Sequence, residues 1–257
     1  MKSQWLVGDP PAVGDRPRVF CLPHAGGGIA GFVPWRRAAT HVDIQPVRLP
    51  GREGRISELP LRRMDEVVRR LLTGLRPYAS RPFALFGHSM GALIAFELAY
   101  AMEQDGLPIA AVFVSGRTSP SLPEVRTNLH ELPSDKLIEI LNEISATPKS
   151  VLEDPEIMAV VLPVIRADFS VVASYAYEPG RTIASPLIAY YGEADGWGDR
   201  LRVAKWEGLT RGPFRCRGFD GDHFFPYQAG LVGDLVGDLE RELLYHAGTG
   251  EVQPRGM

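Results

Sequence analysis

Short runs rich in β-branched and aromatic residues alternate along this 257-residue chain with segments whose apolar positions recur at helical spacing. Strands are expected at Arg18–Leu22, Ile44–Leu49, Phe83–Phe86, Ala110–Ser115, Leu187–Tyr191 and Phe214–Gly218. Met64, Val68, Leu71, Leu72 and Leu75 fall on one face of a helix that Pro77 should end. The stretch Ser89–Met102 is apolar almost all round, which predicts a helix sandwiched against a sheet. Leu231, Leu235, Leu239 and Leu243 recur every four residues and predict a last amphipathic helix, followed after Tyr245 by a frayed tail. Strand–helix alternation over this length implies one α/β domain spanning 1–257, with a mostly parallel central sheet flanked by helices.

The alternation breaks at about 118–179. No strand pattern occurs there, but two helical ones do. The first starts after Pro133, with Ser134 as N-cap and Leu137, Ile138, Leu141 and Ile144 as its stripe. The second starts at Asp154-Pro155-Glu156, with Asp154 as N-cap and Pro155 at the first helical position; Pro163 should kink it. About sixty residues is long for a plain crossover, so an inserted helical lid is expected.

Composition narrows the class. The chain is 45% hydrophobic with 28 Lys and Arg against 31 Asp and Glu, a net charge of −3, which gives no footprint for nucleic acid. The early arginines Arg16, Arg18, Arg36, Arg37, Arg48, Arg52 and Arg55 read as scattered surface charge, with a locally positive face for an acidic partner as the alternative. Cys21 and Cys216 are too few for a disulfide framework or a metal site and are expected to be buried thiols. Without a secretory h-region or a bilayer-length apolar run, a cytoplasmic monomer with no membrane partner is expected.

Gly87-His88-Ser89-Met90-Gly91 matches G-x-S-x-G. The pattern alone is weak in a chain with 27 glycines; its context is the stronger signal, because it follows a strand and opens a helix. A nucleophile elbow needs that placement to lift the serine hydroxyl above the sheet edge. The base should follow an acid in the order Ser, acid, His, and His223 lies in a glycine-containing loop after the last strand. His246 lies too far into the tail. Asp195, just past the strand that breaks at Gly192, is the expected acid; Glu193 and Asp199 are fallbacks, and Asp222 is too close to His223 in sequence to orient its ring. One oxyanion donor should be the Met90 N–H. The other should come from the Leu22–Gly28 loop, whose three glycines let amides turn inward, with the Ala25 N–H chosen. The loop lacks nucleotide-binding spacing. The same triad would serve a carboxylesterase or lipase acting on small free esters.

On these residues the sequence resembles the type II thioesterases that accompany modular polyketide synthases and nonribosomal peptide synthetases. Leu22-Pro23-His24-Ala25-Gly26-Gly27 is similar to the family's oxyanion motif, and Leu49-Pro50-Gly51-Arg52-Glu53 to its P-G-R segment. Gly87–Ala92 is similar to its elbow, and Gly221-Asp222-His223-Phe224-Phe225 to its histidine loop. Within the lid, Thr147-Pro148, Leu152–Glu156 and Leu162–Phe169, with Tyr175 and Tyr177, follow the same pattern. Trp197 departs from it, standing where a Pro or small residue is common. The resemblance implies an α/β-hydrolase fold and a serine hydrolase needing no metal or organic cofactor. Its implied partner is an acyl or peptidyl carrier protein bearing phosphopantetheine. The implied role is clearing misprimed or stalled acyl groups, with no carrier domain expected ahead of residue 18.

Overall fold

The computed structural model describes residues 3–8, 10, 16–123, 128–143 and 149–248. Six strands form its sheet: β1 (Arg18–Leu22), β2 (Asp43–Pro46), β3 (Phe83–His88), β4 (Ile109–Ser115), β5 (Leu187–Gly192) and β6 (Phe214–Phe219). All pairs are parallel, in the order β2-β1-β3-β4-β5-β6. Every expected strand is present. The second is shorter than expected, because beyond Pro46 the chain leaves β1 and Val47 forms an antiparallel bridge with Leu6.

Both faces of a parallel sheet are covered, so the strands are apolar on both. Period-two alternation sends Phe20, Leu22, Phe83, Leu85, Val112 and Val114 to one core. That core is shared with α2 (Met64–Leu75) and α3 (Met90–Gln104), after α1 (Val33–Ala38) on the other face. Val19, Cys21, Ala84, Phe86 and Phe113 point to the second core, with Trp35 of α1. In α2 the buried stripe is Met64, Val67, Leu71 and Leu75, with Val68 and Leu72 at its edge, and a 3-10 turn containing Pro77 ends the helix.

Between β4 and β5 lie α4 (Ser134–Glu143), α5 (Lys149–Leu152) and α6 (Pro155–Ala173). Leu129, Leu137, Leu141, Ile165 and Phe169 form their own small core. Asp154 caps α6 as expected, its Oδ1 accepting from the N–H groups of Glu156 and Ile157 at 2.9 and 3.1 Å. The helix α6 runs on through Pro163 without a break. Ser134 differs from expectation: it is the first helical residue, and its hydroxyl accepts from Arg166 at 3.1 Å. Ile144 and Thr147-Pro148 lie outside the described residues. Beyond β5, α7 (Arg200–Val203) leads to β6. The last helix, α8 (Ala229–His246), buries Leu235, Leu239 and Leu243 and leaves Leu231 half-buried. The tail expected to fray lies largely outside the described residues.

Two sequence expectations need correction. Arg18, Arg52 and Arg55 are buried, paired with Asp43, Asp168 and Glu58, because a guanidinium with a carboxylate partner and carbonyl acceptors can leave water. Cys21 is buried, but Cys216 is only half-buried near the sheet edge. No helix among the described residues is long and apolar enough to cross a membrane.

The strand order reverses beside β1. Chain leaving β1 turns toward β2, whereas chain leaving β3 turns toward β4. Loops at such a switch point part and leave a crevice beyond the carboxyl ends of the strands. The Pro23–Gly28 loop and Ser89 sit there.

Candidate active site

Ser89 is the residue between β3 and α3, at φ +55°, ψ −111°, a backbone conformation side chains seldom adopt. The surrounding backbone enforces it. A Cβ added at Gly87 would lie 1.9 Å from the Gly91 carbonyl oxygen, and one at Gly91 would lie 2.2 Å from the Leu22 carbonyl oxygen. Glycines are therefore required on both sides of the serine by backbone-to-backbone contact. The Ser89 N–H still donates to the Ser115 carbonyl at 2.8 Å, so the elbow is tied to β4 before α3 begins.

His223, in the loop after β6, has its Nδ1 2.9 Å from Asp195 Oδ2, and both residues are buried. Asp195 lies in the turn after β5, and its other oxygen accepts from the Trp197 N–H at 2.8 Å. The acid loop is joined to the histidine loop by the Ala194 N–H donating to Gly221. The other acids are occupied elsewhere. Asp199 caps α7, and Asp222 accepts from the Phe224 N–H and from Gln228. Glu193 is exposed, beside Tyr191 and Gly218. Of the candidate acids, Asp195 alone meets the imidazole. Among the described residues Ser89 Oγ has no hydrogen-bond partner; in enzymes without substrate such bonds are often long and close on binding.

The loop after β1 makes a tight turn in which the Gly27 N–H donates to the His24 carbonyl at 2.9 Å. Gly26 sits at φ +78°, the value a type II turn requires at that position. The Ala25 N–H has no acceptor among the described residues. Met90 is the first residue of α3, where amides lack helical partners. The close approach of Gly91 to Leu22 and Pro23 brings this loop against the first turn of α3. Two open amides thus flank the elbow.

Two further imidazoles pack here. His88 is 4.9 Å from His223 between ring centroids and places its Nδ1 3.1 Å from Ser115 Oγ; His24 places its Nδ1 3.1 Å from the Tyr227 hydroxyl. Burial, then the neighbouring His223 and Arg52, pushes the His24 pKa down to about 3. Burial, then His223 and His24, pushes His88 well below the usual imidazole range. Both rings are neutral at neutral pH.

A cavity of about 510 Å³ opens at Ser89. Its walls come from Gly116–Ser119 after β4, from Tyr175 and Tyr177 beyond α6, and from Trp197 and Arg202. Trp197 lies 5.7 Å from the His223 ring, so the large residue at this unusual position screens the histidine from one side. The Tyr175 hydroxyl donates to Glu97 at 2.8 Å, and burial with that carboxylate pushes its pKa up. No cluster of His, Cys, Asp or Glu able to hold a metal occurs among the described residues.

Sequence reasoning missed a buried pair beside the loop. Arg52 meets Asp168 of α6 through two bonds of 2.7 Å and also donates to the Gly27 carbonyl at 2.8 Å. Both residues stand in segments noted for resemblance, but neither has a partner at sequence spacing that would reveal the pair.

A thioesterase-domain family model matches residues 17–243. Gramicidin S biosynthesis protein GrsT of Aneurinibacillus migulanus is 36% identical over 88% of this chain and 90% of its own. Thioesterase PikA5 of Streptomyces venezuelae is 33% identical over 97% of this chain and 90% of its own. Among solved structures, the type II thioesterase BorB from the borrelidin biosynthetic cluster superposes with a TM-score of 0.85 at 34% identity, covering 95% of this chain and 99% of BorB. With the serine elbow and its flanking amides, these likenesses lead to one assignment: the chain belongs to the thioesterase family, as a type II enzyme that hydrolyses thioesters.

Proposed function

We propose that Ser89, His223 and Asp195 are the catalytic triad and that the Ala25 and Met90 amides form the oxyanion hole. The substrate proposed is an acyl or aminoacyl group thioesterified to the phosphopantetheine arm of a carrier protein. The observation that carries this reading is the buried His223–Asp195 hydrogen bond beside a cavity that opens onto Ser89. His223 Nε2 takes the Ser89 proton while Nδ1–H donates to Asp195, which fixes the tautomer and stabilises the imidazolium. Ser89 Oγ bonds to the thioester carbon, and negative charge gathers on the oxygen facing the two amides. Collapse breaks the C–S bond, and the imidazolium gives its proton to the departing sulfur, which returns His223 to its neutral form. The leaving thiol has a pKa of about 8.5, so it departs with less proton assistance than an alkoxide needs. Water then gives its proton to His223, attacks the acyl-serine and releases the acid and free Ser89.

The helices α4–α6, within 118–179, act in this reading as a lid whose C-terminal end, at Tyr175 and Tyr177, lines the acyl cavity. The biological role is removal of aberrant or stalled intermediates from a polyketide or nonribosomal peptide synthase, in keeping with the biosynthetic settings named for GrsT and BorB. The test is a hydrolysis panel of acyl groups on carrier proteins beside p-nitrophenyl esters of the same acids, with Ser89→Ala as control. The expected result is higher kcat/KM on the carrier thioesters, abolished by Ser89→Ala. A large preference for free oxygen esters would instead favour a carboxylesterase, and turnover retained by Ser89→Ala would remove the triad.

A further inference from the structure

The turn that carries Ala25 is held from three sides. The Gly26 N–H, the next amide along, donates to Asp168 Oδ2 at 2.7 Å. The Gly27 carbonyl accepts from Arg52, whose guanidinium also grips both carboxylate oxygens of Asp168. Farther along, the Ile29 N–H donates to Glu53 at 2.8 Å. Side-chain exposure is 9% for Arg52 and 3% for Asp168, so solvent screens little of this pair. One turn before Asp168 on α6, Ile165 packs so closely that a Cβ on Gly26 would lie 2.7 Å from its Cγ1. The turn therefore rests on α6 through both an apolar and an ionic contact.

We propose that Asp168 is a positioning residue for the oxyanion hole, with Arg52 as its counter-charge. This rests on the reading of Ala25 as an oxyanion donor. In a type II turn the central peptide, here Ala25–Gly26, rotates about its two ends, and that rotation distinguishes turn types. Asp168 holds the Gly26 end of this peptide and so fixes the direction of the adjoining His24–Ala25 amide. An unpaired carboxylate at this place would repel the charge that develops on the substrate oxygen. Arg52 neutralises it while the carboxylate still accepts from Gly26. The arrangement also makes α6 and the oxyanion turn one mechanical unit: a shift of the helix is a shift of the donor.

The test must separate positioning from burial. Removing one member of a buried pair leaves an uncompensated charge and endangers the fold, whereas replacing both by groups of similar volume is often tolerated. Two double variants are informative. Arg52→Met with Asp168→Leu removes both the charges and the Gly26 acceptor. Arg52→Met with Asp168→Asn removes the charges but leaves an amide oxygen for Gly26. The probe is an alkyl boronic acid: the Ser89 oxygen adds to boron, the proton goes to His223, and the tetrahedral boronate anion presents an oxygen to the hole.

For the Met/Leu variant we expect kcat to fall about 10- to 100-fold, below the 10²- to 10³-fold of a deleted donor, because the amide is misaimed rather than lost. KM should stay within about 3-fold, and boronate affinity should fall in parallel with kcat. The Met/Asn variant should recover most of both. If neither double variant folds, an ester bond replacing the Gly26 amide removes that one N–H while Arg52 and Asp168 stay paired; kcat and boronate affinity should again fall together. Wild-type kcat in the folded variants, a change in KM alone, or a loss of kcat without loss of boronate affinity would overturn the proposal. Failure of the Ala25 reading is told apart by an ester bond in place of the His24–Ala25 amide: undiminished kcat and boronate affinity there would remove Ala25 as a donor, whereas a loss there with wild-type behaviour in the double variants would overturn only the positioning role of Asp168.

Discussion

The elbow and the helical insertion reach the same cavity by opposite means. Around Ser89 the geometry is set by backbone pressed on backbone: Gly87 against Gly91, and Gly91 against Leu22. In α4–α6 it is set by side chains, through a small separate core and a few polar ties such as Arg52–Asp168 and Tyr175–Glu97. The elbow therefore tolerates almost no substitution. The insertion has more latitude in its own small core, though Val171 and Val172 of α6 anchor it in the core shared with the sheet, and Tyr175 and Tyr177 beyond α6 line the cavity.

Three measurements would break or sharpen this contrast. The largest effect is expected at the elbow. Gly87→Ala puts a methyl carbon into backbone that cannot give way, so a loss of about 4 kcal/mol or more, in the extreme tail of single substitutions, should appear in urea unfolding. A folded, active Gly87→Ala protein with near wild-type stability would show that the backbone contact is not rigid. The next concerns the neutral histidines beneath the site. His24 and His88 have folded pKa values below their unfolded ones, so below about pH 6.5 the unfolded chain binds protons that the folded chain refuses. Stability is thus full above pH 6.5 and falls with acidity toward pH 3, by up to about 2–3 kcal/mol per pH unit for the two groups together. Urea melts at pH 7.5, 6 and 5 check the slope, and His24→Gln should roughly halve it. A flat profile would place these rings in contact with solvent. The smallest effect lies in the insertion: Asp154→Ala removes the cap of α6 and should cost about 1 kcal/mol. Amide exchange should quicken in the first turn of α6 while β3 and β4 stay protected. Equal loosening of the sheet would mean that insertion and body are one cooperative unit.

The same contrast explains what was legible in the sequence. Leu22, Phe86 and Val114 announce strands because two-sided burial forces apolar runs, and Gly87 and Gly91 announce the elbow because backbone contact admits no other residue. Asp195 could be chosen over Glu193 and Asp199 from its distance past the strand end, since chain order admits all three. Arg52 and Asp168 carry no such signal, because a pair joined across 116 residues leaves no periodic trace. The N-terminal Trp5, buried under the Arg55 guanidinium at 4.2 Å, was passed over for the same reason: a lone aromatic outside any repeat does not declare its neighbour.

The switch point beside β1 has a bearing on folding. It places Ala25 and Ser89 at the carboxyl edge of a sheet whose strands are all parallel, and the turns after β5 and β6 bring Asp195 and His223, far along the chain, to the same edge. Pairings of this kind are non-local, and such topologies form slowly because long loops must close before any contact rewards them. The four positions come together only when strands from β1 to β6 have paired, so the arrangement is built almost wholly from non-local contacts.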